Sequence, residues 1–294
     1  MATLTTTEGL IPNWFPPNRE NYDRILFFWK LYPLFASLQW LTRWYGMGKT
    51  SVTSSRLNLP GRLAWFTMEI PGFLTLLYHV SSLSSQLPDN HEGLPYQNKV
   101  LTALFVLHYL YRAILYPILQ PSMSPIHALV WILAVSFQLV NGLALGSWLG
   151  AYGPTTQAEW RWSAQAWGWG WGWGWSPGQF ALGLAIFYVG LAGNYYHDEE
   201  LREIRRRAGR RAAAAAAKDV SSKHNGGTSS EGSKKKKTSL VEKHYELPTA
   251  GLFRIVLYPH YLLEWIEWFG FWMAAGMDGL QSKHHIASLT PHHN

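Results

Sequence analysis

The chain has 294 residues, 48% of them apolar, with seventeen Trp, aromatic and charged residues in equal share (15% each), and no cysteine. Without cysteine there is no disulfide framework, thiolate zinc site, iron–sulfur cluster or cysteine nucleophile. The formal charge of +7 is unevenly spread: residues 202–237 hold twelve Lys or Arg against three acids, a net of +9, so the remainder is slightly acidic and no nucleic-acid partner is expected.

Along the chain, apolar stretches long enough to cross a bilayer recur at about 24–46, 63–84, 98–118, 126–150, 178–197 and 252–276. The mean hydropathy of −0.09 conceals them, because it averages apolar blocks with a basic stretch and scores Trp and Tyr as nearly neutral. The expected fold is therefore all-α, a membrane helix bundle with six spans. Residues 1–23 form a polar lead with Pro12, Pro16 and Pro17 and no basic n-region, so the first span is read as a retained helix, not a signal peptide. Helices 1–5 occupy 24–207, interrupted by a Trp/Gly-rich insert at 160–175. Residues 208–240, with Ala212 to Ala217 and Lys234 to Lys237, are predicted to be a disordered basic loop. The sixth helix and its leading segment fill 241–276, and 277–294 is a polar tail.

Orientation follows from the basic residues, which concentrate in cytosolic loops near helix ends. A lumenal N-terminus puts nineteen of the 25 Lys and Arg, including Arg202, Arg205, Arg206 and Arg207, on the cytosolic side. The run Trp167 to Trp175 then lies on the lumenal side. Its glycines alternate strictly and lack the G-x-G-x-x-G spacing of a dinucleotide loop, so it reads as an interfacial anchor.

Polar residues inside apolar helices each demand an account, since an acid at the bilayer centre costs roughly 2.5–3.5 kcal/mol. Glu69 sits a turn and a half into the second stretch, beside Pro71 and Gly72. Kept neutral by desolvation it is a hydrogen-bond donor; an interhelical packing bond is the other reading. In the third stretch, Tyr109, Arg112 and Tyr116 are spaced i, i+3, i+7 and are expected to share one face. Asn194, Asp198 and Arg205 fall within about 40° of each other on a helix and offer an amide, a carboxylate and a guanidinium, which suit a ribose and a phosphate. His260, Glu264 and Glu267 form a third such face, but the segment is not H-E-x-x-H and shows no third ligand, so no metal is expected.

Four ordered motifs together resemble the steroid 5α-reductase family, the 3-oxo-5α-steroid 4-dehydrogenases. They are Ala64-Trp-Phe-Thr-Met-Glu69-Ile-Pro, Leu104-Phe-Val-Leu-His-Tyr-Leu-Tyr-Arg112, Asn194 to Arg205 with Asp198 between, and Tyr245-Glu-Leu-Pro-Thr-Ala-Gly-Leu-Phe followed by Glu264-Trp-Ile-Glu-Trp268. The resemblance runs from about Leu59 to Gly270. It implies a seven-helix bundle of the endoplasmic reticulum membrane that uses NADPH to reduce the carbon–carbon double bond of an enone in a steroid or sterol-like lipid. By the same resemblance Glu69 and Tyr109 hold the substrate carbonyl, and Asn194, Asp198, Arg205, Tyr245 and Glu264 contact the cofactor. His260, where the family commonly has Asn, is a further cofactor candidate, and Arg112, Tyr116 and Glu267 are additional pocket candidates.

After Trp272 the resemblance stops, and the family's seventh helix and closing arm have no counterpart in Gly276 to Asn294. The expectation is a member with a shortened or altered C-terminus and impaired turnover. Competing readings are a reductase of another lipid, such as a very-long-chain enoyl-CoA or a polyprenol, and a non-catalytic multispanning protein. A transporter would show internal repeats with paired broken helices, and none is found.

Overall fold

A computed structural model describes residues 9–41, 44–48, 54–87, 93–163, 176–225 and 247–277 of the chain, and these are mostly helical. They divide into two compact units, one built from the chain up to Tyr188 together with Glu267 onward, the other from Val189–Ile266.

In the first unit, α1 (Arg19–Ser37) begins five residues before the expected span. Asn18 caps it, its side chain accepting the Asn21 N–H at 2.9 Å, which meets one of the donors a helix start leaves without partners. Helix α2 spans Gly61–Ser84 and carries Pro71 internally. Helix α3 (Tyr96–Leu119) and helix α4 (Ala128–Tyr152) are, among the described residues, the two helices long and apolar enough to cross a membrane. Of the other apolar stretches, the last forms a helix of only 16 residues, Pro259–Ala274, and others are diluted by weakly hydropathic residues: Glu69, His79 and five serines or threonines in α2, and Tyr, Gly and Asn after Pro177. A two-stranded antiparallel ladder, β1 (Asn58–Leu59) with β2 (Ile126–His127), ties the entries of α2 and α4 together through the pairs Asn58↔His127 and Leu59↔Ile126.

Helices α2 and α4 approach closely because α4 carries glycines at i, i+4 and i+8. A Cβ placed on Gly142 would lie 2.3 Å from the Gly72 carbonyl oxygen, one on Gly146 2.7 Å from that of Leu76, and one on Gly150 3.0 Å from that of His79. This small-xxx-small row lets two backbones touch where lipid-like surroundings supply no hydrophobic drive. Beyond it, α5 (Gln157–Ser163) corrects the boundary expected for the Trp/Gly-rich insert. Trp160 is fully buried and donates its indole N–H to Asn98 Oδ1 at 2.8 Å, so it belongs to the core. The run Trp167 to Trp175 lies outside the described residues.

Helix α6 runs Pro177–Asn225, so the expectation of a disordered loop from 208 fails as far as Asn225. Low complexity is not loop here: Ala212 to Ala217 is a run of the strongest helix former, and just before it Glu199 and Glu203 pair with arginines one to two turns on. Residues 226–240 lie outside the described residues. In the second unit a short 3₁₀ turn, Gly251–Arg254, precedes α7, which spans Pro259–Ala274 and whose last turns, from Glu267, belong to the first unit.

Candidate functional site

Glu69 is brought to a partner that sequence reasoning missed. Gln138 of α4 donates its side-chain N–H to Glu69 Oε2 in a short hydrogen bond. Gln138 is 5% exposed, and its own Oε1 has no partner among the described residues. It reaches α2 at Gly72, one turn beyond Glu69, where a Cβ would meet Gln138 Oε1 at 2.4 Å and the Tyr109 ring edge at 3.5 Å. A side chain at that point would displace the Gln138 amide, while the Tyr109 ring is at ordinary contact distance. Tyr109 is buried, and its hydroxyl accepts an N–H from Asn141 at 3.5 Å. Glu69, Gln138, Tyr109 and Asn141 thus form one polar group inside the first unit, with Glu69 and Asn141 partly exposed.

The expected face of Tyr109, Arg112 and Tyr116 is divided. Residues Leu110–Leu115 take the wider π form, which breaks the 3.6-residue spacing on which that expectation rests. The Arg112 guanidinium lies 5.0 Å from the ring centroids of both Trp65 and Tyr116, and the Trp65 indole N–H donates to the Arg112 carbonyl at 3.0 Å. Tyr109 packs instead on Phe105 (4.7 Å between centroids), His108 and Trp268.

Glu267 of α7 has its partner on α3. It is fully buried, with Oε1 2.9 Å from His108 Nδ1, and Trp268 covers the His108 ring at 4.6 Å. This acid–imidazole pair backs directly onto Tyr109 through the chain neighbour His108. The sequence shows His108 only as a member of the Leu104–Arg112 motif, and nothing in the spacing connects residues 108 and 267.

In the second unit, Asn194 and Asp198 are buried, and Asn194 Oδ1 has no partner among the described residues. The buried guanidinium on that face is Arg202, one turn before the expected Arg205. Arg202 is fully buried, 4.0 Å from Asp198 Oδ2 and 2.8 Å from Glu199 Oε2, whereas Arg205 is exposed. Burial opposes ionisation of Glu199, but hydrogen bonds from Arg202 and Arg206, and their charges, hold its carboxyl below the usual range. Hydrogen bonds from Arg210 and Arg207 do the same for Glu203.

His197, also buried, pins the 3₁₀ turn to α6. Its Nδ1 lies 2.7 Å from the Gly193 carbonyl and its Nε2 accepts the Leu252 N–H at 3.0 Å, which sets the neutral tautomer with the proton on Nδ1. Gly251 turns the chain at φ +55°, and a Cβ there would lie 2.8 Å from His197 Nε2. His260 and Glu264 are half-buried on α7, with the His260 ring 4.3 Å from that of Tyr261. Tyr245 lies outside the described residues. Among the described residues no group of three or more His, Asp or Glu side chains is arranged to hold a metal ion.

No protein-family model matches the chain. It is similar to an uncharacterized protein, C9.08c, of Schizosaccharomyces pombe, 30% identical over 239 residues that cover 78% of this chain and 73% of the relative. It is also similar to 3-oxo-5-alpha-steroid 4-dehydrogenase 2 of Rattus norvegicus, at 28% over 230 residues, 78% of this chain and 69% of the relative. With 3-oxo-5-alpha-steroid 4-dehydrogenase 1 of Mus musculus the identity is 25% over 241 residues, 82% of this chain and 73% of the relative.

Proposed function

Because the chain belongs to the steroid 5α-reductase family, we propose that it is an NADPH-dependent reductase of the double bond of a 3-oxo-Δ4-steroid or similar lipid enone. The observation that carries this reading is a polar group inside an apolar helix packing: Glu69 is hydrogen-bonded to Gln138, and the Gln138 amide and the Tyr109 ring both lie at Gly72. Hydride addition to the β-carbon of an enone moves negative charge onto the distant carbonyl oxygen. Donors aimed at that oxygen then stabilise the transition state more than the ground state, and a low dielectric strengthens them. A neutral Glu69 and the Tyr109 hydroxyl are such donors, and a proton taken from water by the α-carbon of the enolate completes the saturated ketone.

NADPH supplies the hydride. The second unit suits it: a buried amide whose Oδ1 has no partner among the described residues, a carboxylate and a guanidinium follow one another as Asn194, Asp198 and Arg202. Such a row matches a ligand rich in hydroxyl and phosphate groups. Arg205, His260 and Glu264, with Tyr245, extend the same proposal. The proposal extends to an endoplasmic reticulum membrane protein of six spans, and the distribution of Lys and Arg supports a lumenal N-terminus and a cytosolic basic segment.

The test is reduction of a 3-oxo-Δ4-steroid by the full chain in nanodiscs with NADPH, followed by mass spectrometry. Glu69→Gln keeps a donor and is expected to retain more turnover than Glu69→Ala. Equal loss in the two variants refutes the donor role, and absence of any NADPH-dependent saturated product from the unaltered chain refutes the activity.

A further inference from the structure

Gln138 stands in a helix whose other residues from Ala128 to Ser147 are almost all apolar or small, and it is nearly inaccessible. Packing gives no reason for it. A leucine or methionine would fill the same volume without burying an amide oxygen that has no partner among the described residues, and such an oxygen lowers stability. What the amide does accomplish is visible at its other end, where Nε2 donates to Glu69 Oε2. One turn further along the same face of α4, Asn141 Nδ2 donates to the Tyr109 hydroxyl. Each member of the carboxyl–phenol pair therefore accepts an N–H from α4.

Accepting fixes where a proton sits. A neutral carboxyl has one O–H; the oxygen that accepts from Gln138 takes the carbonyl role, which leaves the proton on Oε1. A phenol oxygen that accepts from Asn141 directs its own O–H elsewhere. We propose that Gln138, with Asn141 beside it, is a positioning residue that turns the protons of Glu69 and Tyr109 away from α4 and so makes the pair a selective receptor for a carbonyl oxygen. This rests on the reading of Glu69 and Tyr109 as carbonyl donors. It adds a specificity element contributed by α4, and it explains why α4 must approach α2 as closely as Gly72 and Gly142 allow.

The experiment measures the dissociation constants of androst-4-ene-3,17-dione and of androst-4-en-17-one, which lacks the C3 oxygen. It uses the full chain in nanodiscs with NADP+ present so that no turnover intervenes. The ratio of the two constants isolates recognition of the C3 carbonyl, while the deoxy steroid alone reports whether the pocket is intact. The unaltered chain is expected to favour the ketone by about tenfold or more, the value of one to two directed hydrogen bonds. Gln138→Leu and Gln138→Met, which remove the donor and keep the volume, are expected to cut that preference to about twofold with the deoxy steroid bound as before. Gln138→His, which restores an N–H, is expected to recover most of it.

If Glu69→Ala abolishes the preference but Gln138→Leu and Gln138→Met keep it, the positioning role is wrong and the donor reading stands. If Glu69→Ala leaves the preference intact, the donor reading fails, and this inference with it. Equal loss of affinity for both steroids in the Gln138 variants shows that Gln138 serves packing alone, which also overturns the proposal.

Discussion

The glycine row of α4 gives the most demanding check on the architecture that holds Glu69. In Gly142→Ala, the new methyl carbon would lie 2.3 Å from the Gly72 carbonyl oxygen and 2.9 Å from Thr75 Cβ, whereas ordinary contact begins near 3.4 Å. The obstacle is backbone, so no side-chain rotation relieves it, and the two helices must part by about 1 Å. Alanine gains about 1 kcal/mol over glycine inside a helix, and overpacking against rigid backbone costs about 2–3 kcal/mol, the upper part of the usual range. The net effect expected is a loss of about 1–2 kcal/mol, read as an unfolding midpoint lower by about 2–8 °C for a domain of this size. Intrinsic Trp fluorescence of the detergent-solubilised chain reports it. Gly146→Ala, at 2.7 Å from the Leu76 oxygen, is expected to cost less, and Gly150→Ala, at 3.0 Å, to be close to neutral. Gly209→Ala has nothing within 4 Å and sits in an exposed helix, so it should gain local protection worth about 0.5–1 kcal/mol. A Gly142→Ala chain as stable as the unaltered one would refute the close approach of α2 and α4.

The His108–Glu267 pair, buried on both sides, predicts that Glu267→Ala destabilises the chain by about 1–3 kcal/mol, because a buried hydrogen-bond partner is removed. Glu267→Gln, which still hydrogen-bonds, should lose clearly less, and equal midpoints for the two variants would count against the pair. For α6, the carboxyls of Glu199 and Glu203 are held below their ordinary value of 4.5. Their support for the helix is therefore complete above about pH 4.5 and disappears as pH falls through the lowered values. Hydrogen exchange over residues 199–215, corrected for intrinsic rates, should show protection at pH 6 that weakens at pH 3; unchanged protection would refute the ion pairs as a helix support. At the proposed cofactor side, Arg202→Ala is expected to weaken NADPH binding by about tenfold or more and Arg205→Ala by only a few-fold, because one is buried and the other exposed. The reverse order in a fluorescence titration would return the role to Arg205.

What the sequence disclosed was the polar group that an apolar setting makes expensive. Glu69, Tyr109, Asn194 and Asp198 were legible for that reason, and the structure finds Tyr109, Asn194 and Asp198 buried and Glu69 partly so. Positions that depend on local helix geometry were less secure. Asn194, Asp198, Arg202 and Arg205 all project within about 80° of each other at 100° per residue. Angle alone therefore cannot choose between the two arginines; only burial does. The face of Tyr109, Arg112 and Tyr116 failed because the π segment Leu110–Leu115 changes the period on which the reading depended. Helix α6 outran its expected end because alanine-rich, charged sequence suits a solvated helix as well as a mobile loop, and the criterion of buried apolar surface does not separate them.

Partners were the hardest to read, since a partner is fixed by where two elements meet. Gln138 and Asn141 are conspicuous amides in α4, yet nothing in their spacing says that they face Glu69 and Tyr109 across α2 and α3. That pairing depends on Gly142, Gly146 and Gly150, whose missing side chains let α4 lie against the α2 backbone. The glycines and the amides are thus two halves of one device. Without the close approach Gln138 would not reach Glu69, and without Gln138 nothing in the substrate chemistry would require the approach to be so close. A substitution that loosens the glycine row should therefore weaken carbonyl selectivity as well as stability. The two losses should track each other across Gly142→Ala, Gly146→Ala and Gly150→Ala, and selectivity that stays constant while stability falls along this series would show that the two halves are independent.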